Sequence, residues 1–326
     1  MDLSVFFAGT AGSVPTARRG LPALLVRRGG ERILFDCGEG TQRQLLKSVG
    51  LADLTDIFIT HFHADHWLGL PGMLKTFDLR DRDRPLTIHG PRGLKEVLGM
   101  VRPIFGRTGY PLTIEELDHG DMVRRDDMVV GAFPVTHRGA RSLGYAIVED
   151  ERPGRFHPER ATELGVEPGP DFGRLQRGEA VDGVAPGDVM GPPRPGRKVV
   201  ISGDTAPSEA LAVAAHEADL LVHEATFLDE EAARARETGH STAREAARVA
   251  AEADVRMLAL VHVSTRYLGR EVREEAREVF EPTVVPHDFD TIEVPFAERG
   301  APELVRWDEM RERIRAAAAA PGAPAA

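Results

Sequence analysis

Short apolar runs separated by glycines fill the first 60 residues of the chain. The runs at 3–9, 23–28 and 32–38 partly alternate between apolar and polar residues, which is typical of β-strands joined by turns. The stretch GEGTQRQLLKSVG at 38–50 predicts a short helix that ends at Gly50. Another apolar run at 56–60 predicts a further strand, so the chain begins with mostly β structure.

The rest of the chain alternates between strand-like and helix-like patterns. Two runs at 129–137 and 142–149 predict a hairpin-like strand pair. A β-rich beginning followed by this alternation predicts an α/β fold in which helices cover β-sheets. The remaining predicted strands lie at 87–91, 198–204, 219–226, 257–262 and 283–287, and the predicted helices lie at 92–101, 208–217, 241–253 and 270–279.

Residues 151–198 differ from this pattern. Seventeen of these 48 residues are Gly or Pro, and no periodicity extends along the segment. Such a segment in a compact domain is usually functional or a linker, and we expect it to form no stable core of its own. The Ala- and Pro-rich end at 316–326 is predicted to be a disordered tail. We therefore expect one domain over 1–315 that carries 151–198 as an insertion.

Composition and charge narrow the class of protein. The chain of 326 residues has one cysteine, Cys37, which excludes an intramolecular disulfide and suits a reducing cytoplasm. No apolar run approaches the roughly 18 residues of a membrane span, so no membrane association is expected. The net charge of −11 argues against a nucleic-acid partner. However, residues 1–50 carry seven Lys/Arg and four Asp/Glu, so a local basic face is compatible with the acidic total.

The strongest chemical signal is the motif THFHADHWLG at 60–69. It places His61, His63, Asp65 and His66 within six residues at the end of a predicted strand. Four such side chains in a core would be costly without a cation to bind. Because structural zinc sites favour cysteine and this motif contains none, its nitrogen and oxygen ligands indicate a hydrolytic metal site that is open to water.

Further candidate ligands end later predicted strands. His137, Asp204 and His262 each follow a β-run and precede a turn-like sequence. Together with the motif they could enclose two ions about 3.5–4 Å apart. A lone histidine after a strand is more often an ordinary surface or core residue, so these three depend on the motif for their interpretation.

The motif resembles the metal-binding signature of the metallo-β-lactamase fold. The chain resembles, more specifically, the ribonuclease Z family of tRNA 3′-processing endonucleases. This resemblance implies a metallo-β-lactamase αβ/βα sandwich of two packed mixed β-sheets with helices outside, and a homodimer. The matching stretches span residues 6–267 in order: FAGTAGSVPTARRG, FDCGEGTQRQL, ITHFHADHWLGLPG, GPPRPGRKVVISGDT, VHEATF, GHSTAREAA and LVHVSTRY.

The resemblance also implies a dinuclear site with two Zn²⁺ per chain, with Mn²⁺ as the alternative ion. Asp204 would bridge the two ions. The first ion would be bound by His61, His63 and His137, and the second by Asp65, His66 and His262.

The implied reaction is cleavage of precursor tRNA on its 3′ side. Hydrolysis would leave a 3′-hydroxyl on the tRNA and a 5′-phosphate on the trailer. We assign Asp65 as the general base, because a carboxylate can accept the proton of the attacking water while it contacts its metal. The family implies His240 as the proton donor to the leaving oxygen, and Glu224 is expected to orient it.

Residues 151–198 occupy the place of the family's flexible arm, which holds the body of the tRNA. Phosphate contacts from basic residues would position the RNA by its shape. An alternative function is hydrolysis of a small thioester, lactone or sulfate ester by the same fold, although a small substrate needs no such arm. The expected substrate-binding residues are Arg174, Arg177, Arg194, Arg197 and Lys198 in the arm, and Arg266 near the metals.

Overall fold

The computed structural model describes residues 2–51, 53–139 and 141–319, which form fifteen strands and twelve α-helices. The strands are β1 Leu3–Gly9, β2 Ala23–Arg28, β3 Glu31–Phe35, β4 Asp56–Phe58, β5 Leu86–Pro91, β6 Leu112–Leu117, β7 Met122–Arg124, β8 Met128–Pro134, β9 Leu143–Glu149, β10 Lys198–Ile201, β11 Leu220–Glu224, β12 Leu258–Val261, β13 Thr283–Val284, β14 Thr291–Glu293 and β15 Glu303–Val305. The helices are α1 Thr41–Lys47, α2 Ala64–Trp67, α3 Leu70–Leu79, α4 Leu94–Phe105, α5 Pro158–Glu163, α6 Pro170–Gln176, α7 Pro186–Val189, α8 Glu209–Ala215, α9 Ala232–Thr238, α10 Ala243–Glu252, α11 Gly269–Arg277 and α12 Trp307–Ala319.

The strands form two mixed sheets. One has the order β15-β14-β1-β2-β3-β4-β5-β6, and the other has the order β13-β12-β11-β10-β9-β8-β7. Apolar side chains from both sheets pack face to face, with Phe58 between Phe35 and Tyr145 at ring distances of 5.2 and 5.1 Å. Helices α1, α3 and α4 cover the first sheet, and α8, α10 and α11 cover the second. The predicted αβ/βα sandwich is confirmed.

Strand direction brings several chain segments to one edge of the sandwich. Strands β3 to β6 are parallel in the first sheet, and β10 to β13 are parallel in the second. Strand β8 is antiparallel to β9, which is antiparallel to β10, so β8 ends at the same edge as β10. The carboxyl ends of β4, β8, β10, β11 and β12 therefore meet, and each leads into a predicted ligand or catalytic residue.

The inserted segment 151–198 is folded, contrary to the expectation that it forms no core of its own. Helices α5, α6 and α7 each have a proline in the first turn, where the missing amide hydrogen costs nothing. The apolar residues that pack together are irregularly spaced, which is why no periodicity revealed them. The cluster consists of Ala161, Val166, Leu175, Val181, Val184 and Val189, with Phe156 and Phe172 against it.

Residues 316–319 of the predicted disordered tail are helical. Helix α12 continues to Ala319, because an alanine run has high helix propensity. Residues 320–326 of the predicted tail lie outside the described residues. Among the helices that the structure describes, none combines the length and apolar character needed to cross a membrane.

Candidate metal centre

The motif after β4 wraps around the start of a short helix. Residues 59–63 continue from β4, and His63 is the N-cap of α2 with an extended backbone. Asp65 lies in the first turn of α2, and His66 follows it on the same turn. The imidazoles of His61 and His66 are consequently brought to a ring distance of 4.2 Å.

The structure brings all seven predicted ligands together in two groups that adjoin at one carboxylate. Candidate ligand atoms of each group lie within 4.8 Å of one another. Asp204 lies 3.8 Å from His61, 3.3 Å from His66 and 3.3 Å from His262, measured between carboxylate oxygens and the Nε2 atoms. The first group is His61, His63, His137 and Asp204, and the second is Asp65, His66 and His262.

Hydrogen bonds from the Nδ1 atoms orient four of the histidines. The acceptors are two threonine hydroxyls, one carboxylate and one backbone carbonyl. The Thr60 hydroxyl donates to Asp36 and so accepts from Nδ1 of His61 at 3.0 Å. The Thr226 hydroxyl donates to Glu224 at 2.6 Å and accepts from Nδ1 of His262 at 2.8 Å. With Nδ1 protonated, the lone pair on Nε2 is free to bind a metal.

Two further histidines also donate a hydrogen bond from Nδ1, which leaves the lone pair on Nε2 to bind a metal. Nδ1 of His66 donates to Asp36 at 2.7 Å, and Nδ1 of His137 donates to the carbonyl of Gly239 at 2.8 Å. The buried Nε2 atoms of His61 and His66 have no hydrogen-bond partner. Buried polar atoms without partners are costly, so these residues fit a bound divalent cation.

Electrostatics favours the metal-binding forms of His61 and Asp204 but shifts His66 the other way: burial lowers the pKa of His66, but the charges of Asp204 and Asp36 outweigh burial and raise it well above its usual value. Burial, followed by the neighbouring imidazoles, lowers the pKa of His61 well below its usual value, so the ring is neutral. Burial raises the pKa of Asp204, but His262 and His66 outweigh it, and the net shift is downward. Neutral imidazoles and ionised carboxylates are the states that bind metal.

His240 lies beside this cluster on a buried carboxylate. It precedes the capping box of α10, and its Nδ1 is 2.7 Å from Glu224. Burial lowers the pKa of His240, but the Glu224 charge and hydrogen bond outweigh it and raise the pKa to about 9. Asp204, His240 and His262 also form a group with close ligand atoms, so the geometry alone permits His240 as a ligand as well.

The expected substrate-binding residues lie in three different settings. Arg197 is 3% exposed, and its guanidinium donates to Glu149 and to the carbonyl of Val294. This burial corrects the expectation that Arg197 contacts RNA. Lys198 is half-buried and donates to the carbonyl of His216 at 2.8 Å.

The other four arginines are at the surface but are paired. Arg174 donates to Asp171 and Glu179, and Arg177 lies 3.5 Å from Glu179. Arg194 pairs with Glu298, and Arg266 pairs with Glu231. Segment 151–198 carries eight Lys/Arg and eight Asp/Glu, so it is electrically neutral as a whole.

Sequence reasoning missed the residues that support the ligands. Asp36 receives hydrogen bonds from Thr60 and His66, and Ser13 donates its amide hydrogen to Asp65 at 2.9 Å. Asp36, Ser13 and His262 all have a positive φ between 56° and 60°, a strained backbone state that clusters at functional sites. An aspartate directly after a buried strand, in FDCGEG, was the available signal for Asp36.

Two packed sheets with a His/Asp cluster at one edge define a protein of the metallo-β-lactamase superfamily, whose family model matches residues 19–262. Ribonuclease Z of Haloferax volcanii is 50% identical over 308 residues, which cover 91% of this chain and 97% of that protein. Ribonuclease Z of Gemmatimonas aurantiaca is 48% identical over 307 residues, covering 91% and 98%. The chain belongs to the ribonuclease Z family, which confirms the predicted endoribonuclease at that level.

Solved structures agree with this assignment. The short form of human tRNase Z superposes with a TM-score of 0.65 at 29% identity, over 90% of this chain and 99% of that one. The metallo-beta-lactamase fold protein YhfI of Bacillus subtilis superposes with a TM-score of 0.66 at 19% identity, over 90% and 100%. The second likeness shows the shared fold alone.

Proposed function

We propose that this chain is a metal-dependent endoribonuclease that removes the 3′ trailer from precursor tRNA, leaving a 3′-hydroxyl on the tRNA and a 5′-phosphate on the trailer. The observation that carries the proposal is the pair of ligand groups around Asp204, with the Glu224–His240 pair beside them. Family membership supports the same reaction class. This hydrolysis requires a water molecule, the phosphodiester of the substrate and a proton donor.

The donor set fits two divalent ions. His61, His63, His137 and Asp204 would hold one, and Asp65, His66 and His262 would hold the other, with Asp204 between them. Nitrogen-rich ligands suit zinc, and manganese is the alternative ion. When bound, such ions supply a water of lowered pKa and neutralise charge on the scissile phosphate.

Asp65 is proposed as the general base. Its Oδ2 accepts the amide hydrogen of Ser13 at 2.9 Å and lies 3.3 Å from Nε2 of His262. These contacts hold the carboxylate in one orientation at the metal edge. Burial raises the pKa of Asp65, but the close contact with His262 and the nearby His66 outweigh burial and lower the pKa overall. The carboxylate is therefore ionised and able to accept a proton from the attacking water.

His240 is proposed as the proton donor to the departing 3′ oxygen. Its Nδ1 is held by Glu224, which is itself fixed by the amide of Thr205 at 2.9 Å and the hydroxyl of Thr226 at 2.6 Å. This chain of contacts leaves Nε2–H as the proton available to the substrate. Glu224 stabilises the protonated ring and so keeps it in the acid form at neutral pH.

The arm, residues 151–198, is proposed to hold the body of the tRNA. It joins β9 and β10 at the edge opposite the metal centre, so its contacts lie far from the scissile phosphate. Because the arm is neutral and Arg174 and Arg177 are paired within it, recognition depends on its shape with a modest contribution from charge. Arg194 and Lys198 are half-exposed candidates for further contacts, and Arg266 is the candidate near the metals.

A small-molecule hydrolase of the same fold remains the second candidate. The ligand set alone serves a thioester, a lactone or a sulfate ester equally well. The folded arm favours the RNA substrate, because a small ester needs no element of 48 residues to hold it.

The test is product mapping on one precursor tRNA. The wild-type protein should release a single trailer with a 5′-phosphate, and Asp65→Ala should lower turnover at least about 10³-fold because it removes a ligand and the base together. Thioester and lactone substrates serve as controls. Rapid turnover of such an ester without cleavage of the precursor would contradict the proposal.

We also propose a homodimer in a reducing cytoplasm. Met100 and Ile104 lie one turn apart on α4 with 67% and 76% of their surfaces exposed, which offers apolar area to a second copy. Light scattering on the purified protein should give twice the chain mass of 35.6 kDa. The buried thiol of Cys37 needs no oxidising compartment.

A further inference from the structure

The arm begins and ends at a narrow root. Its first residues follow β9 and its last residue, Lys198, begins β10, at the edge of the sheet opposite the metal centre. Strand β9 has seven residues, so the root lies roughly 20 Å from the metal edge. A small change in the direction of the arm at this root therefore produces a large displacement at its far end.

Two backbone bridges close the root into a stem. Arg152 and Arg194 exchange hydrogen bonds of 2.7 and 2.9 Å. The next bridge joins Phe156 to Met190, where His157 donates to the carbonyl of Val189 at 2.8 Å. A two-stranded ribbon this short is only marginally stable in water, so it cannot set its own direction.

A segment that is distant in the sequence contacts both strands of the stem. Glu298 lies in the turn Ala297–Arg299 between β14 and β15. Its carboxylate accepts from Nη1 and Nη2 of Arg152 at 2.9 and 3.2 Å, and from Nη1 of Arg194 at 3.0 Å. The guanidinium carbon of Arg152 also lies 3.5 Å from the centre of the Phe296 ring. One carboxylate and one aromatic ring thus contact the stem from outside.

The ion pairs of Glu298 connect the arm to the rest of the protein. Among the ion pairs of the described residues, those of Glu298 are the ones that join an arginine between 152 and 194 to the body of the protein. The other paired arginines in this range, Arg160, Arg174 and Arg177, pair with acids inside the arm. The orientation of the arm consequently depends on a few contacts at its root.

We infer that Glu298, supported by Phe296, is a positioning residue that clamps the root of the arm and sets the direction in which the arm presents itself to RNA. The inference rests on the proposed function of the arm as the grip for tRNA. Glu298 contacts the root of the arm, which lies at the edge of the sheet opposite the candidate metal ligands. Loosening the clamp lowers the fraction of molecules with a correctly placed arm, and the apparent affinity falls by that fraction. The clamp should therefore influence KM and leave kcat unchanged.

The first measurement is hydrogen exchange at the stem, which requires no RNA. Glu298→Gln removes the charge, and Glu298→Arg places a fourth cation beside Arg152, Arg194 and Arg197. An exposed ion pair changes an equilibrium by up to about fivefold, so losing two should speed exchange of the stem amides about 3- to 25-fold in Glu298→Gln. The charge reversal in Glu298→Arg should speed exchange of the stem amides by a larger factor. Exchange in β4 should stay at the wild-type rate.

The second measurement compares two substrates. With precursor tRNA, Glu298→Arg should raise KM at least about threefold with kcat unchanged, whereas a small artificial phosphodiester should be hydrolysed at the wild-type rate. Glu303→Gln is the matched control, because it removes an exposed carboxylate from the neighbouring strand β15 outside the clamp. Glu298→Asp should partly restore the KM, since it keeps the charge on a shorter side chain.

The outcomes separate the clamp from the proposed function. Wild-type exchange at the stem of Glu298→Arg overturns the inference, and so does an equal loss on both substrates. If the wild-type protein does not cleave precursor tRNA, the proposed function fails. Stem exchange in the variants still decides whether Glu298 clamps the arm.

Discussion

The substitution Asp36→Asn tests whether a residue that binds no metal nonetheless determines metal affinity. Asp36 is 5% exposed, and its carboxylate accepts Nδ1–H of His66 at 2.7 Å and the amide hydrogen of Thr60 at 2.8 Å. Asparagine has the same shape but replaces one acceptor oxygen with an NH₂ group. In one orientation that group faces the amide hydrogen of Thr60, and in the other it faces His66.

The second orientation changes the tautomer of His66. An NH₂ group that donates to Nδ1 places the histidine proton on Nε2, which is the atom that must bind the metal. The first orientation leaves a buried donor opposed by a donor, which costs about 1–3 kcal/mol. Binding of the second ion needs the His66 proton on Nδ1 and therefore forces the first orientation, so binding loses about 1–3 kcal/mol and the dissociation constant should rise about 5- to 150-fold.

The assay is a zinc titration in a chelator buffer, which measures the affinity of each site without reference to activity. Asp56→Asn is the matched control. Asp56 lies 2.9 Å from Nε2 of buried His89, an Asp–His pair of the same kind at the opposite end of β4. That variant should lose thermal stability and keep wild-type affinity for both ions. Wild-type affinity in Asp36→Asn, or an equal loss in Asp56→Asn, would refute the reasoning.

The other predictions concern the metals, the proton donor and the arm. The purified protein should hold about two divalent ions per chain, and the double variant His61→Ala, His63→Ala should lose tight binding at the first site. His240→Ala should lower kcat about 10²- to 10⁴-fold with metal content retained. In the wild type, kcat should fall as pH rises through the pKa of His240. Burial lowers this pKa, but Glu224 outweighs burial and raises it to about 9. Bound cations shift the pH range of this fall in kcat to lower values. Replacing residues 155–192 with a short Gly-Ser linker should raise KM for precursor tRNA and spare a small phosphodiester.

Each of these predictions has a contrary outcome. Stoichiometric tight metal in the double variant would remove His61 and His63 from the ligand set. Loss of metal in His240→Ala would make His240 a ligand, which the close contact with Asp204 and His262 permits. Loss of both activities in the linker variant, with fold and metals intact, would place part of 155–192 in the active site.

Most of the strands and the whole candidate ligand set could be predicted from the sequence. The strands were predictable because each is a short apolar run ended by Gly or a polar turn. The ligands were predictable because four of them lie within six residues, and the others each follow a buried strand. The parallel strands then bring those ends to one edge. Local sequence thus carries both the strand and the chemistry at its end.

Other features depend on contacts between distant segments. Asp36 and His66 are 30 residues apart, and Glu298 is 146 residues from Arg152, so no local pattern pairs them. Arg197 looked like a surface cation, but the fold buries it against Glu149. The small core of the arm was invisible because its apolar residues follow no helical or strand period.

The difference between the features that could be predicted from the sequence and those that could not has one physical cause. Residue type and spacing act within a few residues, and they determined the elements and the chemistry at the strand ends. Burial and ion pairing are set by whichever segments the fold brings into contact, so only the tertiary structure decided which arginines face solvent and which acids orient the ligands. The sequence therefore determined the reaction class. The tertiary structure determined how the ligands are oriented and how the root of the arm is held.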